Sequence, residues 1–199
     1  MELPHLFRTY QSHQTHLECK IWEAAWATSA APTFFEPIYI GRAQPFVDGG
    51  LGNNNPSRTV LKEAECLFEG RPVGCLVSIG AGRGDPVRIK RPGFIQKIIP
   101  TDLIHALKAI ATDCESTHEE MFGHFANLPN TYFRLNVEQG MQGIELSEWE
   151  KLSNVEAHTA QYMKKREVSE KLTSLVNAIR GPTTQTLTIE QLSTEEPVL

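Results

Sequence analysis

The run Val73-Gly74-Cys75-Leu76-Val77-Ser78-Ile79, nearly continuous in apolar residues and closed by Gly80-Ala81-Gly82, constrains this chain more than any other segment. A strand apolar on both faces needs cover on both sides, as in a sheet held between helix layers, and the small-residue turn marks its end. Around it, short extended runs alternate with longer helical patterns, the signature of an α/β layer structure. Forty per cent hydrophobic content over 199 residues is enough for one domain with a sizeable core.

Leu6 to Tyr10 reads as a short strand and Gln11 to His16 as a loop. A helix follows from Lys20 to Ala31, stopped by Pro32, which has no amide hydrogen to continue it. Phe34 to Val47, with two prolines and a glycine, predicts a loop and short strands leading to Asp48. The next helix is better specified. Asn55 can cap it, Pro56 suits its first turn, and Val60, Leu61, Ala64, Leu67 and Phe68 form one apolar face before Gly70. Thr101 and Asp102 open another helical pattern, Thr131 to Val137 reads as a strand, and Ser147 with Glu150 makes a capping-box start for a helical region ending near Arg180. Within that region Val168, Leu172, Leu175, Val176 and Ile179 make a stripe. The domain is thus expected over residues 1–181, with 182–199 a mobile polar tail.

Composition excludes several function classes. A formal net charge of -5 provides no basic field for nucleic acid, and the Lys164-Lys165-Arg166 run sits among glutamates. No apolar run approaches membrane-spanning length, so no transmembrane segment is expected, and the first residues do not read as a signal peptide. Cys19, Cys66, Cys75 and Cys114 include no CxxC pair, which predicts reduced, mostly buried thiols in an intracellular protein. His13, His16 and Cys19 are spaced as the start of a metal site, but no second cluster completes it, and no metal or organic cofactor is expected. The glycines of Gly80-Ala81-Gly82-Arg83-Gly84 follow neither dinucleotide nor Walker A spacing. Trp22 and Trp26, one helical turn apart, are expected to cover core or cleft.

Chemistry concentrates in Phe46-Val47-Asp48-Gly49-Gly50-Leu51-Gly52-Asn53-Asn54-Asn55-Pro56, where a carboxylate ends an extended run before a glycine-rich turn. Gly49 and Gly50 allow close backbone approach, so Asp48 can project into a cleft. Asp-Gly is also ordinary turn chemistry, and the local pattern alone favours that reading.

The run Ile21 to Pro37, IWEAAWATSAAPTFFEP, followed by Phe46 to Pro56, resembles the second half of patatin-like phospholipases, especially fungal-type ones. Leu6 to Tyr10 and Leu76 to Gly82 also resemble family segments, so the likeness covers about Leu3 to Lys164. It implies a three-layer α/β/α sheet, incomplete here at its N-terminal side, and a lipid acyl hydrolase with a Ser-Asp dyad. Asp48 matches the family's proton acceptor in an Asp-Gly-Gly motif with Gly49 and Gly50, and Asn53, Asn54 and Asn55, ahead of Pro56, are assigned as its structural support. The implied substrate is a lipid ester, and the implied setting is cytoplasmic, with peripheral residence at membranes left open. The 199 residues contain no Gly-x-Ser-x-Gly nucleophile elbow; Ser78 and Ser29 are read as packing or capping residues. Two expectations therefore stand together: an Asp-bearing part that pairs with a missing N-terminal half, or a catalytically inactive truncated or interaction fragment.

Overall fold

The computed structural model describes residues 4–10, 17–32, 34–41, 44–83, 114–142, 144 and 148–181. Two compact units make up the chain, Met1–Asn54 with Ile89–Asp113, and Asn55–Arg88 with Cys114–Leu199. Helices and small parallel and antiparallel sheets give it an α/β fold.

In the first unit, helix α1 (Ile21–Ser29) realises the predicted helix with shorter ends. The Glu23 side chain accepts the Lys20 amide at 2.6 Å, satisfying one of the free N–H groups of the first turn. Strands β1 (Ile38–Ile40) and β2 (Gln44–Phe46) form an antiparallel ribbon with Ile38 opposite Phe46. Gly41 turns out of β1 at φ +72°, a conformation that glycine adopts without steric cost. Residues 6–10, expected as a strand, form no ladder; Phe7 instead packs its ring 5.6 Å from that of Phe46.

The second unit contains α3 (Ser57–Leu67), β3 (Leu76–Ile79), α4 over residues 114–124, β4 (Tyr132–Leu135), a 3-10 turn (Trp149–Lys151), α5 (Leu152–Met163) and α6 (Arg166–Arg180). Strands β3 and β4 run parallel, Leu76 opposite Tyr132 and Ile79 opposite Leu135. One apolar cluster, Leu61, Met121 and Phe125, ties α3 and α4 together. A second, Val137, Met141, Tyr162 and Val168, packs α5 and α6 against the segment after β4.

Several expectations need correction here. Val73 to Ile79 was expected as a strand buried on both faces, yet only Ser78 is buried and Ile79 is 77% exposed, because β4 is its single partner strand among the described residues. The apolar face of α3 narrows to Leu61, leaving Val60, Leu67 and Phe68 exposed. On α6, Val168 and Leu175 are buried whereas Val176 and Ile179 are exposed, since the stripe is wider than the surface it packs on. Lys164 and Lys165 break the single long helical region into α5 and α6. The thiols are free, but Cys66 is exposed and the other three are half-buried, so they are less enclosed than composition suggested. The loop at 11–16, the helix from Thr101, the cap at Ser147 and the tail 182–199 lie outside the described residues.

Candidate active site

Asp48 stands where the β1–β2 ribbon ends and the short helix α2 (Gly50–Asn53) begins. Its amide donates to the Ala30 carbonyl at 3.1 Å, which fixes it to the end of α1. Its Oδ1 accepts the Gly50 amide at 2.8 Å, an Asx turn that orients the carboxylate. Oδ2 has no hydrogen-bond donor among the described residues, and the side chain is half-buried. One oxygen is therefore held and the other is open to a proton donor, the division of labour a general base needs.

Glycine at position 50 has a spatial reason. A Cβ there would stand 3.3 Å from Asp48 Oδ1 and 3.6 Å from Asn54 Oδ1, so the carboxylate would have to give by a few tenths of an ångström. Gly49 has open space around its Cα and right-handed helical torsions, φ -63° and ψ -14°, so neither space nor backbone shape requires glycine there. The turn reading and the presented-carboxylate reading thus describe the same geometry: the turn is what holds Asp48.

Trp26 of α1 donates its indole N–H to the Glu36 carbonyl at 3.0 Å, bracing the segment that leads to β1. Trp22 and Trp26 were expected to cover core or cleft, but they are 54% and 47% exposed. Ile21, Phe35 and Tyr39 are more exposed still, so this unit carries an uncovered apolar surface. Ser29 turns its hydroxyl back onto the Ala25 carbonyl at 2.7 Å within α1.

Of the three asparagines expected beside Asp48, Asn53 ends α2, Asn54 follows it, and Asn55 belongs to the second unit. Asn55 is 2% exposed and organises a buried polar cluster. Its Oδ1 accepts from Ser57 Oγ at 2.7 Å, from Ser78 Oγ at 3.2 Å and from the Ser57 amide at 3.4 Å, and its Nδ2 donates to the Cys114 carbonyl at 3.2 Å. Arg134, also buried, donates from Nη1 to Ser78 Oγ at 2.8 Å and from Nη2 to Cys114 Sγ at 3.1 Å. Ser78 is accordingly committed between an asparagine and a guanidinium, with no imidazole or carboxylate bonded to it among the described residues. Nearby, His118 Nδ1 lies 3.2 Å from the Tyr132 hydroxyl; burial holds the His118 imidazole below the usual histidine range and pushes the Tyr132 phenol up. This cluster was not foreseen in the sequence. Its one legible sign is Asn55 ahead of Pro56.

The Gly80 turn is not a phosphate cradle. The Gly80 and Arg83 amides donate to the Leu135 and Val137 carbonyls, each at 2.8 Å, and the Gly82 amide to Asn136 Oδ1 at 2.9 Å, so these donors are already used. Among the described residues no group of histidine, cysteine, aspartate or glutamate is arranged to hold a metal ion, and no helix is long and apolar enough to cross a membrane.

Comparison with known proteins bears on the segment that carries Asp48. Residues 4–61 match the family model described as patatin-like phospholipase. Calcium-independent phospholipase A2-gamma of Oryctolagus cuniculus is 33% identical over 171 residues, 81% of this chain and 21% of the relative. The Homo sapiens protein of the same name is 34% identical over 150 residues, 74% of this chain and 18% of the relative. Phospholipase A I of Arabidopsis thaliana is 32% identical over 133 residues, 65% of this chain and 10% of the relative. The chain spans about a fifth of the length of the first two. No solved structure matches it significantly.

Proposed function

The chain belongs to the patatin-like phospholipase family through residues 4–61, and from that premise we propose that it supplies the aspartate half of a Ser-Asp lipid acyl hydrolase. Asp48 is the proton acceptor, and Gly49 and Gly50 form the turn that presents it. The nucleophilic serine, in a Gly-x-Ser-x-Gly elbow, comes from a segment outside these 199 residues. In the assembled site Asp48 Oδ2 takes the serine proton as its oxygen attacks the ester carbonyl of a phospholipid or neutral lipid. The tetrahedral intermediate collapses to an acyl-enzyme and expels the alcohol, and water, deprotonated by the same carboxylate, releases the fatty acid. The acid–base work rests on protein side chains, and the domain meets lipid as a peripheral, cytoplasmic protein.

The observation that carries this reading is the Asp48 carboxylate pinned through one oxygen by the Gly50 amide at 2.8 Å while the other has no donor among the described residues. Two features support a covering segment: the exposed apolar side chains of Ile21, Trp22, Phe35 and Tyr39, and the bare apolar side of β3 at Ile79. A second reading, an interaction fragment without hydrolase activity, is favoured by the absence of the serine elbow from the sequence. Both agree that the chain alone carries no reactive serine. A fluorophosphonate probe therefore leaves the isolated chain unlabelled, and stoichiometric labelling of Ser78 or any other serine overturns the assignment. Co-expression with a patatin segment bearing the elbow separates the two, since fatty-acid release appears only under the first.

A further inference from the structure

Past the C-terminal ends of β3 and β4 lies an open polar cleft of about 240 Å³, whose lining includes Arg83, His118, Arg134, Asn136 and Lys171. Ligands of open parallel sheets gather at this end of the strands. Arg134, at 8% exposure, is the buried member. Its two bonds go to neutral acceptors, Ser78 Oγ and Cys114 Sγ, and its Nε is buried with no partner. Among the described residues no carboxylate stands within ion-pair distance of it. A guanidinium withdrawn from water and left among uncharged partners is costly, and an anion in the cleft offsets that cost directly.

The carboxylates of the cleft do not serve as that anion. Glu115 accepts from Asn136 Nδ2 at 3.4 Å and lies 3.7 Å from Arg83 Nε, and Glu138 lies 3.6 Å from Lys165 Nζ. Glu119 stands on the exposed rim. Lys171, held with its Nζ 3.2 Å from the Arg134 carbonyl, brings a second cation to the same spot. A Cβ at Gly80 would collide with the Asn136 amide and the Arg134 guanidinium, so glycine there lets both side chains keep their places.

We propose that this cleft binds a phosphate group, with Arg134 as the buried counter-charge, Lys171 as the second cation, and Arg83, whose Nε lies 3.7 Å from Glu115, at the mouth. The planar guanidinium matches the oxygen spacing of phosphate. The phosphate can be the inorganic ion or the headgroup of a phosphomonoester lipid. The site does not depend on Asp48 or on hydrolase activity.

Titration of the chain with sodium phosphate, followed by thermal unfolding at constant ionic strength, tests it. Saturable stabilisation is expected with phosphate, and Lys171→Ala is expected to weaken the apparent affinity about tenfold, the loss of one charged contact. Arg134→Gln should abolish the effect; because that buried site is also structural, Arg83→Ala serves as a surface variant that should weaken it without altering the unfolding transition in chloride. Competition by a soluble short-chain phosphatidic acid assigns the site to a lipid headgroup, and saturation by phosphate without such competition assigns it to the free ion. Stabilisation no greater than that by chloride or acetate, or affinity unchanged in both Lys171→Ala and Arg83→Ala, overturns the proposal.

Discussion

Replacing Asn55 with alanine should be among the most damaging changes available in the second unit. The side chain is 2% exposed and accepts two buried serine hydroxyls, from Ser57 at 2.7 Å and Ser78 at 3.2 Å, while donating to the Cys114 carbonyl at 3.2 Å. Alanine removes three well-formed bonds together and leaves their partners buried. With about 1 kcal/mol for each bond and some further cost for unsatisfied groups, the expected loss is about 3–4 kcal/mol. Urea unfolding followed by circular dichroism reads this as a midpoint lowered by about 1–3 M with the slope unchanged. A loss under about 0.5 kcal/mol would refute the reasoning, since it would mean that water or rearrangement satisfies the cluster without Asn55. A large change in slope would instead place the effect on the unfolded state.

Three further outcomes follow from the same structure. Leu61→Ala, which empties the centre of the cluster with Met121 and Phe125, should cost about 2–4 kcal/mol in the same assay, and an unchanged midpoint would contradict the assigned core. Gly140→Ala, at φ +93° and with its new methyl driven into the His158 ring, should lower the melting temperature clearly; a melting temperature within a degree or so of the parent would contradict that backbone geometry. His118 has a folded pKa below its unfolded value because burial disfavours the imidazolium, so the unfolded chain binds the proton first and stability falls as pH drops below about 6.5. His118→Gln should flatten that fall in urea midpoints between pH 7 and pH 5, and an identical slope in the variant would remove His118 as its source.

Local pattern carried far in this chain where a single stretch specifies its own structure. Pro32 closing α1, the apolar run giving β3, and the glycine turn presenting Asp48 all depend on neighbours in sequence. The candidate site residue, Asp48, is legible only through a motif resembling a known family and not through periodicity. What stayed hidden depends on distant partners. Ser78 looked like packing because neither Asn55 nor Arg134 is near it in sequence, separated from it by 23 and 56 residues. The open face of β3 at Ile79 is what a sheet incomplete at its N-terminal side implies, whereas the exposure of α1 is not legible, since an apolar pattern states that a surface wants cover and not whether cover is present. Leu6 to Tyr10 failed as a strand on the same ground: strand propensity needs a neighbour to pair with, and Phe7 found a ring contact instead.

The central claim is that Asp48 is the base of a dyad completed by a serine from another segment. Its most direct measurement is the rate of fluorophosphonate labelling of that serine in a co-expressed complex of this chain with an elbow-bearing patatin segment, comparing Asp48 with Asp48→Asn. Asparagine keeps the oxygen that accepts the Gly50 amide but cannot take a proton, so the complex should still assemble while labelling and fatty-acid release fall by about 100-fold or more. An assembled complex that labels and turns over at the same rate with Asp48→Asn would contradict the assignment.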